Sequence, residues 1–220
     1  MLKQRIRNYL WNYSAKLNCA YIEVPKVCCT TIKAMMQAVE LDCSAGELSL
    51  AQIHNRDASP LLNFDSLVEA GIGDYRTFTF VRNPYTRIYS AYKDKLVDNQ
   101  WEKNRRAENL GFSAEEDIPF LEFLRVIRDR SQQSMDIHWL SQSAILEDRT
   151  IDFIGRFEQF DNDYYIIASA LGLPPDTESR ITHSTGTGNS ILRRLCREEI
   201  SIINEIYERD FSSFNYLMLR

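Results

Sequence analysis

Tyr21-Ile22-Glu23-Val24-Pro25-Lys26-Val27-Cys28-Cys29-Thr30-Thr31-Ile32-Lys33 is the stretch on which the fold turns. It reads as an apolar strand, a sharp turn carrying one lysine, and hydroxyl side chains at the start of a helix. A helix start presents unpaired backbone N–H groups and the positive end of the helix dipole, a combination suited to a phosphate. Thr30 and Thr31 add donors there, and Lys26 adds a mobile cation. The same arrangement also serves as a plain connection between core elements, so the rest of the chain has to decide its meaning.

Outward from this stretch, Cys19 to Val24 is an apolar run bounded by Asn18 and Pro25, which predicts a buried strand. Before it, Met1 to Lys16 reads as a helix capping the core, although a short amphipathic helix on a membrane surface is a second option. After it, Ile32, Met35, Met36 and Val39 recur at helical spacing. Ser49 to His54 is expected as a short strand and Pro60 to Ala70 as a helix closed by Gly71 and Gly73. Thr77-Phe78-Thr79-Phe80-Val81 is the clearest strand, and it runs into Arg82-Asn83-Pro84, where the proline opens a helix to about Val97. Asp98 to Glu116 is charge-rich and is expected as a mobile loop or lid. Helices follow over Pro119 to Arg130, from Asp161 to about Leu171, and over Ile191 to Glu208, with a strand over Ile151 to Phe157 and a Ser/Thr/Gly loop over Thr182 to Asn189. Strands alternating with helices predict a single α/β domain over residues 1–220, a three-layer, P-loop-like fold around a mostly parallel sheet. In such sheets ligands collect beyond the carboxyl ends of the strands, so the loops at Lys26 and Arg82 are expected to face one crevice.

Composition narrows the classes. The net charge of −5 argues against a general nucleic-acid binder, and no run of eighteen apolar residues marks a membrane span. Five cysteines without a regular framework point to reduced thiols and a cytoplasmic setting. The vicinal pair Cys28-Cys29 lacks the spacing of a zinc site or a redox motif, and no metal is expected.

Arg82 stands just before the proline-opened helix and Ser90 lies eight positions further on, about two turns away on the same side. An arginine fork with a serine hydroxyl suits a second phosphate; the competing reading is a surface arginine and a solvated serine.

Val24 to Thr31 together with Arg82-Asn83-Pro84-Tyr85-Thr86-Arg87-Ile88-Tyr89-Ser90-Ala91-Tyr92 resembles the two signature segments of carbohydrate sulfotransferases of the membrane-associated Golgi type and their bacterial relatives. Asp136-Ile137-His138-Trp139 with Gln142, Asp152 to Glu158, Tyr207 to Phe211, and Phe214-Asn215-Tyr216 continue the resemblance in the family's order to the C-terminus. The resemblance implies an enzyme that uses 3′-phosphoadenosine 5′-phosphosulfate as sulfuryl donor and a hydroxyl of a carbohydrate or glycoconjugate as acceptor. Pro25, Lys26, Val27, Cys28, Cys29, Thr30 and Thr31 would hold the 5′-phosphosulfate, with Lys26 stabilising charge on the oxygen between phosphorus and sulfur. Arg82 and Ser90 match the residues for the 3′-phosphate, and Phe157, or Arg156 beside it, matches a region flanking the adenine.

A sugar hydroxyl needs a general base. Related enzymes place it where His54 stands, while His138 is the second candidate and suits the acceptor side. His183 is placed to reach the 3′-phosphate, and Glu23 and Asp57 are carboxylate alternatives. Two departures stand out: Cys28 where the family usually carries a small residue, often glycine, and no cysteine in Ala144 to Thr150. If the turn needs positive φ, the Cβ of Cys28 opposes it. The missing cysteines, with no anchor in the sequence, point to a bacterial, cytoplasmic form. Arg105, Arg106, Arg193 and Arg194 offer a basic groove for an anionic acceptor. The acceptor and the oligomeric state are not legible. The rival readings are a P-loop-like nucleotide kinase, disfavoured because no G-x-x-x-x-G-K-[ST] occurs, and a catalytically silent nucleotide-binding protein.

Overall fold

The computed structural model describes residues 2–132, 134–147, 149–174 and 189–220. In chain order, α1 (Leu2–Leu10), β1 (Trp11–Ser14), β2 (Cys19–Ile22), α2 (Cys29–Leu41), α3 (Leu50–His54), α4 (Phe64–Glu69) and β3 (Arg76–Val81) come first. They are followed by α5 (Pro84–Tyr92), α6 (Gln100–Leu110), α7 (Phe120–Arg128) and α8 (Gln142–Leu146). The chain then forms β4 (Phe153–Arg156), α9 (Phe160–Leu171), α10 (Arg197–Ile206) and α11 (Glu208–Ser213). It divides into two compact units, Met1–Val81 with Ile145–His183 and Arg82–Ala144 with Ser184–Arg220.

The first unit is built on a sheet of order β1-β2-β3-β4, in which β2, β3 and β4 run parallel and β1 is antiparallel to β2. Tyr21 and Phe78 are register partners, and their fully buried rings sit 5.3 Å apart. Side chains alternate across a strand, so Trp11 and Ser14 point to opposite faces. Trp11 meets Phe64 of α4, ring centroids 5.2 Å apart, while the Ser14 hydroxyl donates to Glu40 of α2 at 2.5 Å. Helices therefore cover both faces, the α/β arrangement of a P-loop-like fold. The β3–β4 pair is stitched by Asp152, whose carboxylate accepts from the Thr77 N–H at 2.7 Å and the Thr77 hydroxyl at 3.0 Å.

Three expectations change here. The N-terminal helix stops at Leu10, and Trp11-Asn12-Tyr13-Ser14 becomes a strand because pairing with β2 satisfies its backbone. Ser49 to His54 is helical, not extended: Ser49 and Gln52 form a reciprocal capping box, with the Ser49 N–H donating to the Gln52 side chain at 2.9 Å. The predicted strand over 151–157 contracts to β4.

In the second unit the segment expected as a loop over 98–116 contains the helix α6, capped by the Asn99 side chain and closed by Gly111 at φ +83°. Its Glu102 accepts from Lys95 at 2.5 Å and pairs with Arg106, which reaches Asp136 at 3.2 Å. The last predicted helix is broken into a short 3-10 turn, α10 and α11. Tyr85 joins this C-terminal portion to α5: it bonds Asn204, and the Leu219 N–H donates to its hydroxyl at 2.7 Å. The predicted loop over 182–189 falls, through residue 188, outside the described residues.

Candidate active site

The loop after β2 has two residues in the left-handed region, Lys26 at φ +70° and Cys28 at φ +50°. Non-glycine residues pay for that conformation, and such strain collects at functional turns. Cys28 is the N-cap of α2 with ψ 19°, and its carbonyl accepts the first helical bond from Ile32 at 3.1 Å. The positive φ is the condition under which glycine is the favoured residue, so the turn keeps its shape and Cys28 carries the cost. Val27 is fully buried, and its carbonyl accepts from the Tyr21 hydroxyl at 3.4 Å, which ties the loop to the sheet. The amides and hydroxyls of Thr30 and Thr31 stand in the first turn of α2, so the fit to an anionic group rests on a helix of 13 residues and on Lys26.

His54, the last residue of α3, is brought to the same turn. Its Nε2 lies 3.0 Å from the Thr30 hydroxyl and its Nδ1 lies 3.2 Å from Lys33 Nζ. Lys33 is 3% exposed and sits 3.1 Å from the Glu23 carboxylate, which Arg56 approaches at the same distance from the other side. Arg56 is itself held by the Asn12 side chain at 2.7 Å and the Trp11 carbonyl at 3.2 Å. Burial alone would raise the Glu23 carboxyl; Lys33 and Arg56 beside it outweigh that and hold it below the ordinary carboxylate range. Glu23, one of the carboxylate alternatives for the base, is thus committed to two cations and is a poor proton acceptor. The Cys29 thiol beside it is pushed up by burial and by the Glu23 charge, so it stays protonated. Lys33 and Arg56 were not singled out in the sequence. For Lys33, helical spacing puts it three positions after Thr30, on the side of α2 that Thr30 shares.

Arg82, Ser90 and His138 belong to the second unit. Arg82 is 4% exposed, and its Nε donates to the Thr86 hydroxyl at 3.0 Å. Its backbone is clamped by Gln142, whose Oε1 accepts from the Arg82 N–H and whose amide donates to the Arg82 carbonyl, both at 2.8 Å. Gln142 is fixed in turn by the buried Asp210, which accepts from the N–H groups of Gln142 at 2.9 Å and Ser143 at 2.7 Å. Ser90 is buried on α5. The solvated-residue reading of Arg82 and Ser90 is therefore excluded, and the Gln142 and Asp210 of the later motifs acquire a role as supports.

His138 is 18% exposed, with Nδ1 2.5 Å from Asp136. Burial lowers its imidazole below the ordinary range despite the Asp136 charge, so the ring is neutral near pH 7. Burial opposes ionisation of Asp136, but the bonds and charge of His138, with Arg106, hold its carboxyl well below the usual range. Arg106 is spent on Glu102 and Asp136, which removes it from the proposed basic groove; Arg105 lies over the Trp101 ring at 4.6 Å. Phe157 follows β4 and is half-buried; the open recess of about 420 Å³ next to it, lined by Glu158, Gln159, Phe160, Asp161 and Asn162, has an acidic rim unsuited to phosphate. His183 lies outside the described residues. Among the described residues no cluster of three His, Cys, Asp or Glu is placed to hold a metal, and no helix is long and apolar enough to cross a membrane.

The loop after β2 and the clamped Arg82 at the entrance of α5 are the two segments on which the sequence resemblance rests, each well ordered within its own unit. The family described as "Sulfotransferase family" matches residues 12–217, and the chain belongs to it. Among curated proteins it is similar to carbohydrate sulfotransferase 14 of Danio rerio, 25% identical over 216 residues, covering 89% of this chain and 59% of that protein. Carbohydrate sulfotransferase 9 of Homo sapiens is 27% identical over 225 residues, covering 89% of this chain and 50% of the relative. Carbohydrate sulfotransferase 11 of Mus musculus is 24% identical over 226 residues, covering 89% and 64%. The chain thus spans about half to two thirds of the length of these relatives. No solved structure matches it significantly.

Proposed function

We propose that the protein transfers the sulfuryl group of 3′-phosphoadenosine 5′-phosphosulfate to a hydroxyl of a carbohydrate or glycoconjugate. The observation that carries this reading is the convergence of the Lys26 turn, Thr30 and His54, with His54 Nε2 3.0 Å from the Thr30 hydroxyl at the start of α2. Lys26, with the amides and hydroxyls of Thr30 and Thr31, binds the 5′-phosphosulfate; Lys26 offsets the negative charge that builds on the bridging oxygen as its bond to sulfur breaks. Arg82 and Ser90 take the 3′-phosphate, the group that separates this donor from ATP. His54 accepts the proton of the attacking hydroxyl, and His138, fixed by Asp136, shapes the acceptor side. Phe157 flanks the adenine. All five cysteines are free thiols, which suits a reducing, cytoplasmic compartment; titration of fewer than five thiols in freshly isolated protein without reductant would count against it.

Calorimetric titration with 3′-phosphoadenosine 5′-phosphate and with ATP tests the donor assignment. The bisphosphate is expected to bind, and Arg82→Ala to weaken it by roughly 10-fold or more with the fold retained. Tight ATP binding that ignores the 3′-phosphate would overturn the reading in favour of a kinase. Labelled donor offered with a panel of glycans identifies the acceptor.

A further inference from the structure

We infer that the protein carries a second anion site, for a doubly charged oxyanion of the sulfate or phosphate class, formed by the Arg149 guanidinium and the indole N–H of Trp11 with Arg7 alongside. The site lies within the first unit, on the face of the sheet that α4 covers, whereas the Lys26 turn leads into α2 on the other face. It stands independently of the sulfotransferase reading.

An aromatic cluster holds the cations in place. Trp11 opens β1 and is 5% exposed; it packs edge to face on Phe64 of α4, ring centroids 5.2 Å apart, and on Tyr75 at 6.2 Å. Arg149, in the segment between α8 and β4, lies over the Trp11 ring at 5.4 Å. Arg7, in the last turn of α1, lies over the Phe64 ring at 5.1 Å. The two guanidiniums are thus set on neighbouring rings. A ring face attracts a cation but gives its N–H groups no ordinary acceptor. Three buried donors here have no hydrogen-bond partner: Trp11 Nε1, Arg149 Nε and Arg149 Nη1. Leaving a buried donor unmade is expensive, and native proteins do so rarely, so each such group asks for an explanation.

The chemistry of the cluster selects its ligand. Indole and guanidinium are donors only, so what meets them must accept. Among the described residues the charge that acts on Arg149 is that of Arg7, of like sign, and no carboxylate offsets it; burial and that repulsion push the guanidinium down to about 10, so it is still a cation at neutral pH. A water molecule accepts an N–H but brings no charge, and leaves the two guanidiniums repelling each other. A carboxylate neutralises one of them. A sulfate dianion neutralises both and has acceptor oxygens for all three N–H groups, through charge-assisted bonds. Arg7 and Arg149 are each half-buried, so the cluster reaches the surface and an ion can enter.

Titration of ¹⁵N-labelled protein with sodium sulfate, followed at the Trp11 indole N–H, tests the site; exchanging sodium chloride for sulfate at constant ionic strength keeps screening fixed. The chain has three tryptophans, and Trp11→Phe identifies the resonance. The Trp11 signal is expected to move saturably with sulfate. In Arg149→Met, which keeps an apolar stem over the ring, the apparent Kd should rise by roughly 10-fold or more. A Trp11 signal that ignores sulfate, or that moves equally in Arg149→Met, would overturn the site. Should either variant not fold, the wild-type signal, assigned through its own backbone, decides alone: saturation supports the site and no movement refutes it. A sulfated oligosaccharide at equal sulfate concentration separates the sources. Binding tighter than inorganic sulfate, and lost in Arg149→Met, assigns the site to an anionic glycan; weaker binding assigns it to the free ion.

Discussion

Cys28 shows how one side chain departs from its family's habit without changing the turn it sits in. At φ +50° its Cβ is crowded against its own backbone, a cost of roughly 1–2 kcal/mol that glycine avoids. Glycine has a cost of its own, since it loses more backbone freedom on folding. Cys28→Gly is therefore expected to leave stability unchanged or raise it by up to about 1 kcal/mol, whereas glycine at an ordinary φ would lose about that much. Urea denaturation of the variant decides between these; a clear loss would mean that the thiol side chain contributes packing beyond what the turn requires. The sequence already raised this conflict, because a cysteine in place of a small residue is visible there. It could not show that φ is in fact positive, which depends on how α2 docks beside the sheet.

At the scale of elements, β4 owes its place to a residue with no side chain. A Cβ on Gly155 would overlap the ring of Phe80, which is fully buried and packs against Phe160 with ring centroids 5.0 Å apart. Gly155→Ala is expected to cost about 1–3 kcal/mol by overpacking, measured as a lower thermal midpoint, and Gly155→Ala with Phe80→Leu should recover part of it. A single variant as stable as wild type would show that β3 and β4 can separate slightly at no cost. Elements also differ in how far local chemistry announces them. β2, α2 and β3 were legible from apolar runs and from Pro25 and Pro84. The helical state of α3 was written in the Ser49–Gln52 capping box but outweighed by the alternation around it, and α6 was written in Asn99, Glu102 and Gly111 but masked by its charge. β1 was not legible at all: four residues carry too little periodicity, and only the register Trp11 to Ile22 makes them a strand.

For the molecule as a whole, buried titratable groups set how stability varies with pH. The carboxyls of Glu23, Asp136 and Glu102 are all held below their ordinary range, so the stability they contribute is present above the unfolded-state pKa near 4 and lost as pH falls below it. His138 acts earlier. Its imidazole is lowered by burial, so the unfolded chain takes up that proton first, and stability declines as pH drops below about 6.5. The urea midpoint is expected to be flat between about pH 7 and 8, to fall in a first shallow stage below about 6.5 and steeply near 4, and to fall again above about 8.5, where the unfolded chain ionises the thiols of Cys19 and Cys29 that burial holds protonated in the fold. His138→Gln should abolish the first stage alone. An unchanged profile in that variant would assign the shallow stage to another group.

What the sequence determined by itself is the α/β class and the strand–turn–helix over Tyr21 to Lys33, because strand periodicity, proline placement and hydroxyls at a helix start are local properties; Lys26, Arg82 and Ser90 became candidates on those grounds, and His54 through the family resemblance. Only the tertiary structure decided what surrounds them. Glu23, Lys33, His54 and Arg56 come from a strand exit and two helical regions, and Arg82, Gln142 and Asp210 span more than half the chain. No local pattern encodes such meetings, since burial of a charge is tolerated only where distant segments supply its partner. The Lys26 turn could be read from thirteen residues; the buried cations and carboxylate behind it required the fold.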